Sequence, residues 1–233
     1  DKTSRLAVVG SVSASGKAAV GGGVAYNDVG GSSAESESSG QNTLAAIKNT
    51  NITVADKGEH DVVVAAHDTS KLTSIAAGVA AATNAGVQGS AATSLVNKNV
   101  SATVENTNID KQGGSVAEVK VEAQNTSEIT SSADTASFAG QGAGVGAGVA
   151  VNRIVQQTNA AVNGGVMNVN DLTVLADGKP RIENVGVGVA VAGQGAGVAG
   201  SVSVNMIDND VTAHIGSGAN IAADGSVGVV ATS

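Results

Sequence analysis

Residues 139–152 read "AGQGAGVGAGVAVN", and residues 192–205 read "AGQGAGVAGSVSVN". Ten of the fourteen positions are identical, and the second stretch begins fifty-three residues after the first. Three readings compete for such a phrase: a small-residue helix packed in lipid, a silk-like polymer, or one element of a stacked repeat. A lipid-spanning helix needs about 20 apolar residues. The weakly charged run from Ala136 to Val151 is shorter, and glycine adds little hydrophobicity to it. A silk-like polymer would be uniform, whereas this phrase is embedded in mixed polar segments. The stacked repeat accounts for the spacing, the alternation and the closing asparagine together.

Composition supports that reading. The chain has 233 residues with 32 glycines, one tyrosine, one phenylalanine, one proline and no tryptophan. A core without aromatic bulk must be thin and filled by valine, isoleucine and alanine, which suits stacked strands better than a helix bundle. A hydrophobic content of 42% with 14% charged residues is too apolar for a disordered chain. The net charge is −8, and no lysine or arginine cluster occurs, so no nucleic-acid partner is expected and membrane insertion is not expected. Cysteine is absent, which excludes disulfides, thiolate metal sites and thiol catalysis. A start at Asp1, without methionine or signal peptide, fits a segment of a longer protein.

The repeat is visible in two anchors. The first is an apolar–x–Val–x–Ala pattern at Val62/Val64/Ala66, Val119/Val121/Ala123, Leu172/Val174/Ala176 and Val227/Val229/Ala231. Its alanines are 57, 53 and 55 residues apart. The second is the asparagine closing the glycine-rich phrase, at Asn27, Asn97 (weaker), Asn152 and Asn205. Nearly four units of about 55 residues are therefore present. Within a unit the period is two: "VGVGVAVAG" sets Val185, Val187, Val189 and Val191 on one face and small residues on the other. Asn163-Gly164, Asp177-Gly178 and Asp224-Gly225 read as turns. Helix signals are poor, with Ala76–Ala82 the one segment compatible with a helical turn.

The expected fold is all-β: a parallel β-helix, or solenoid, in tandem units of about 55 residues. Short strands would give two to three coils per unit, each burying a ladder of valine, isoleucine and alanine. Glycine and alanine would face places where a neighbouring sheet comes close, and the asparagine would start a turn and stack on its equivalents. Residues 1–233 form a single solenoid segment, and the acidic stretch "GGSSAESESSGQN" at 30–42 breaks the alternation and is expected to be a flexible loop.

The run from Val185 to Ser233 resembles the repeats of large filamentous adhesins of Gram-negative bacteria: haemagglutinin-like exoproteins, leukotoxin-type filamentous adhesins and autotransporter passenger regions. In those repeats "GVGGSVAVN" is followed by "NxTxAxIG" and "GAxVxAxGxVxVxA". Val202–Asn205, Asp210–Gly216 and Gly218–Ala231 keep that order. The likeness covers 139–233 well and 62–135 loosely, and the first unit departs most. It implies a right-handed β-helix at the cell surface or secreted, exported through an outer-membrane β-barrel transporter, with a host-cell or bacterial surface receptor as partner. The function it implies is a structural or adhesive rod without catalysis. The alternatives are a toxin or membrane-active module and a β-helical polysaccharide lyase or hydrolase.

No residue is nominated as catalytic, cofactor-binding or metal-ligating, and no cofactor is expected. The densest titratable set is Asp56, Glu59, His60, Asp61, His67 and Asp68. The repeat equivalents of His67 and Asp68, Gln124-Asn125 and Asp177-Gly178, share no ligand character, so a solvated turn is the simpler reading. "DNDV" at Asp208–Val211 lacks the spacing of a calcium loop. His214 sits at an alternating strand position, and no serine lies in a nucleophile elbow. Glycine-rich phosphate loops need a following helix and a Lys-Ser pair, and neither follows Gly140–Gly148.

Overall fold

The computed structural model describes residues 1–30, 40–54, 59–110 and 115–233. Among them the regular structure is entirely strand. A long parallel sheet is built from β1 (Lys2–Ser15), β5 (Glu59–Ala82), β8 (Ser115–Ala139), β11 (Asp171–Val185) and β15 (Val227–Thr232). β12 (Gly188–Ala192) continues the line of β11 along β8. A second sheet holds β2 (Ala18–Val29), β3 (Gln41–Lys48), β6 (Ala85–Glu105), β9 (Ala143–Asn163) and β13 (Gly197–Ile215). A third, narrow sheet stacks β4 (Asn51–Thr53), β7 (Asn108–Asp110), β10 (Gly165–Val169) and β14 (Ala219–Ala223). Every pairing is parallel, and the chain visits the first, second and third sheets in turn before returning to the first. This is the stacked arrangement of a β-solenoid.

The repeat anchors become rungs. Val62, Val119, Leu172 and Val227 pair in one row, and Ala66, Ala123, Ala176 and Ala231 in another. The two glycine-rich phrases lie on each other, from Ala139 beneath Ala192 to Asn152 beneath Asn205.

The number of layers per unit differs from expectation. One unit makes one layer, not two or three coils. The expected strands were too short: β5 has 24 residues and β8 has 25. Asp177-Gly178 does not turn but lies inside β11. Gly178 faces inward, where a Cβ would stand 2.7 Å from Val211 Cγ2 and 2.8 Å from Asn209 Oδ1. Its glycine is required by that close approach, not by a positive φ. The other two expected turns, Asn163-Gly164 and Asp224-Gly225, do fall at corners, after β9 and after β14. Asn49, Asn106 and Gly164 adopt φ of 52°, 46° and 71° between the second and third sheets, where asparagine and glycine tolerate the left-handed region. Ala76–Ala82 belongs to β5. Of the loop expected at 30–42, residues 31–39 lie outside the described residues, and Gln41 and Asn42 already belong to β3.

The interior is a wedge, and the inward residues of β9 grade along it. From the glycine-rich corner they run Gly144, Gly146, Gly148, Ala150, Asn152, Ile154, Gln156, Thr158, Ala160 and Val162. At the thin end a Cβ on Gly148 would stand 2.4 Å from the Ala133 carbonyl oxygen, and one on Gly86 would stand 2.6 Å from that of Phe138. Only glycine lets the first two sheets approach so closely. An alanine tier follows: Ala25, Ala76, Ala92, Ala133 and Ala150. Further in, Val29, Leu72, Val96, Ile129 and Ile154 form an aliphatic tier. The thick end, closed over by the third sheet, holds the main core of Val64, Val100, Val121, Met167, Leu172 and Val174 among others. Each such side chain contributes about 1.5–3 kcal/mol on burial.

Candidate functional site

Two polar tiers cross the interior between these apolar ones. In the first, Asn152 donates from Nδ2 to Ser131 Oγ at 2.8 Å and to Asn205 Oδ1 at 2.9 Å. Asn27 donates to Ser74 Oγ at 2.8 Å, and Ser74 and Ser94 are 2.7 Å apart. The expected asparagine stacking is present, with two corrections. The tier lies in mid-strand, with Asn152 fully buried, so it starts no turn. Its second-layer member is Ser94, since Asn97 pairs with Val155. A strand that continues through a polar residue leaves its amide inside, so the side chain must find partners there.

The second polar tier contains a buried ion pair. Lys98 Nζ lies 3.0 Å from Asp68 Oδ2, and both side chains have no solvent exposure. Asp68 also accepts from Thr43 Oγ1 at 3.0 Å and from Ser70 Oγ at 3.3 Å. In the next layer the same positions are Asn125 and Gln156. The repeat equivalence of His67-Asp68, Gln124-Asn125 and Asp177-Gly178 holds, but these are mid-strand residues, not a solvated turn. Period-two alternation turns His67 outward and Asp68 inward. Lysine and aspartate in separate segments carry no pairing signal in one sequence, so this pair was not foreseen.

The remaining titratable residues are dispersed. Asp56 lies outside the described residues. Glu59, His60 and Asp61 sit at the exposed start of β5, and His67 Nε2 is 3.8 Å from Glu122 Oε2. Lys120 also pairs with Glu122, at 2.7 Å, and the hydrogen bond to that carboxylate holds its pKa above the usual lysine range. Among the described residues no three histidine, aspartate or glutamate side chains group to hold a metal ion. Asp208–Val211 runs along β13, and His214 is half-buried near its end. A polar concavity of about 330 Å³ on the outer face of the second sheet is lined by Asn99, Ser101, Gln157, Asn159, Asp210 and Thr212.

The other surface feature is apolar. At the thin edge the small residues face in, so the valines face out. Val145, Val149, Val198, Val202 and Val204 are exposed on the second sheet, and Val185, Val187, Val189 and Val191 on the first. The valine face expected from "VGVGVAVAG" is thus real but external. The interior there is too narrow for valine, and alternation leaves the larger side chain no other side. No helix of the described residues is long and apolar enough to cross a membrane.

The geometry defines an all-β protein of stacked parallel sheets, one repeat unit per layer, with an outward apolar edge. Comparison with family models, curated proteins and solved structures returned no match.

Proposed function

We propose that this chain is a rod segment of a bacterial cell-surface or secreted filamentous adhesin, spacing or displaying binding elements without catalysis. The single observation carrying this reading is the register the repeat keeps from Val62 onward: residue rows run through four successive layers, as Val64, Val121, Val174 and Val229 do. A unit that adds one layer lengthens the stack by about 4.8 Å. Each layer contacts mainly its neighbours, and the array extends by repetition, as in other solenoids. The order of motifs from Val202 to Ala231, which resembles filamentous adhesin repeats, supplies the cellular setting of the proposal: export through an outer-membrane β-barrel and contact with a surface receptor. Fluorescently labelled chain applied to epithelial monolayers and to bacterial cells tests it. Saturable surface binding is expected. Leakage of dye-loaded vesicles or depolymerisation of polysaccharides by the chain would overturn it.

A further inference from the structure

The outer face of the second sheet at the thin edge has a definite relief. One ridge is the row Val20, Val87, Val145, Val198, and a second is Val24, Ala91, Val149, Val202. Between them runs the row Gly22, Gly89, Ala147, Gly200. Beyond the second ridge lie Tyr26, Thr93, Val151 and Val204, and the first charged side chains, Asp28 and Arg153, come one row later. The inward glycines of the same strands are explained by the opposite sheet. The outward ones are not: a Cβ on Gly89 or Gly200 meets nothing within 4 Å, and one on Gly22 only an ordinary contact at 3.9 Å. Glycine within a strand costs about 0.5–1 kcal/mol relative to alanine. No contact of this chain requires it at these positions.

We infer that this valine-ridged face is a self-association surface whose occupant is the same face of a second copy of the chain. The area is that of a weak, transient contact. Seven residues along four strands span roughly 23 by 19 Å, or about 440 Å² per copy. Two copies then bury about 900 Å², within the class of small, transient interfaces. The relief is self-complementary, because ridges of one copy seat in the glycine furrow of the other at the ~10 Å spacing of packed sheets. Charge selects the place. With a net charge of −8 two copies repel over most of their surface, and this uncharged face is where they can approach. The same charge repels an anionic bilayer.

Sedimentation equilibrium from about 1 μM to about 1 mM, the range in which so small an interface acts, provides the test. A reversible dimer is expected. The double variant Val149→Glu/Val202→Glu should weaken it at least tenfold. Gly89→Val/Gly200→Val should weaken it comparably, with an unchanged β-type circular dichroism spectrum and no loss of thermal stability. Val79→Glu, outward on the first sheet, should have no effect. A monomer throughout the range, equal weakening by Val79→Glu, or undiminished dimer in the furrow-filling variant would each overturn the inference. So would co-sedimentation with phosphatidylcholine vesicles in the absence of self-association.

Discussion

The Asp68–Lys98 pair gives the sharpest energetic test, because the next layer of the same protein shows a neutral version of it. Both charges are fully buried, and Thr43 and Ser70 donate to the carboxylate. Removing one member leaves the other charge without its counter-ion in a low-dielectric interior, which costs about 3–5 kcal/mol. Lys98→Gln and Asp68→Asn should therefore each destabilise the fold by that amount. For a chain of this size, a loss of 3–5 kcal/mol lowers the melting temperature by roughly 6–20 °C. The double variant is different. It installs Asn and Gln where the following layer already carries Asn125 and Gln156 in the same register. No charge is then stranded, and the loss should be no more than about 2 kcal/mol, the scale of imperfectly paired neutral amides. Additive behaviour would require about 6–10 kcal/mol, so the cycle should show a coupling of several kcal/mol. Guanidinium titration followed by circular dichroism, on all four proteins, measures it. Single variants within 1 kcal/mol of the parent, or a double variant as damaged as the sum of the singles, would refute the argument that the tier is held by mutual charge compensation.

Two further outcomes follow from the geometry. Gly148→Ala should cost about 1–3 kcal/mol through overpacking against the Ala133 carbonyl, while Gly89→Ala, with open space outside it, should be neutral or stabilising by up to about 1 kcal/mol; thermal melts of the pair compare the inward and outward glycine rows directly. Asp171 caps the corner into β15 by accepting from the Ser226 hydroxyl and backbone N–H, both at 2.7 Å, and these bonds, the hydroxyl first, hold its pKa below the ordinary aspartate range. A carboxylate with a lowered folded pKa contributes stability above its unfolded value near 3.9 and loses it as pH falls through the folded value. The Ser226 amide proton, followed by NMR between about pH 6 and pH 2, should lose its downfield shift with a midpoint below that ordinary value, and Asp171→Asn should abolish the titration.

What the sequence determined by itself was the period and the alternation. Val62, Val119, Leu172 and Val227 could be aligned by eye because identical layers need identical inward residues at identical depth, and stacking then enforces the register. The Asn152–Asn205 contact followed from the same periodicity. Which face of each strand points inward was decided only by the tertiary structure. A period of two defines two faces but does not label them. At the thick end valine is inside, and at the thin end the same alternation puts valine outside, because the distance to the opposite sheet changes along one uninterrupted strand. Asp177-Gly178 has the composition of a turn, yet its glycine answers to Val211 and Asn209, thirty-odd residues away. Asp68 and Lys98 lie thirty residues apart on facing sheets. Local sequence carries strand propensity and repeat length. The width of the gap between two sheets is a property of the assembled layers, and it set the glycine wedge, the buried ion pair and the outward valine face.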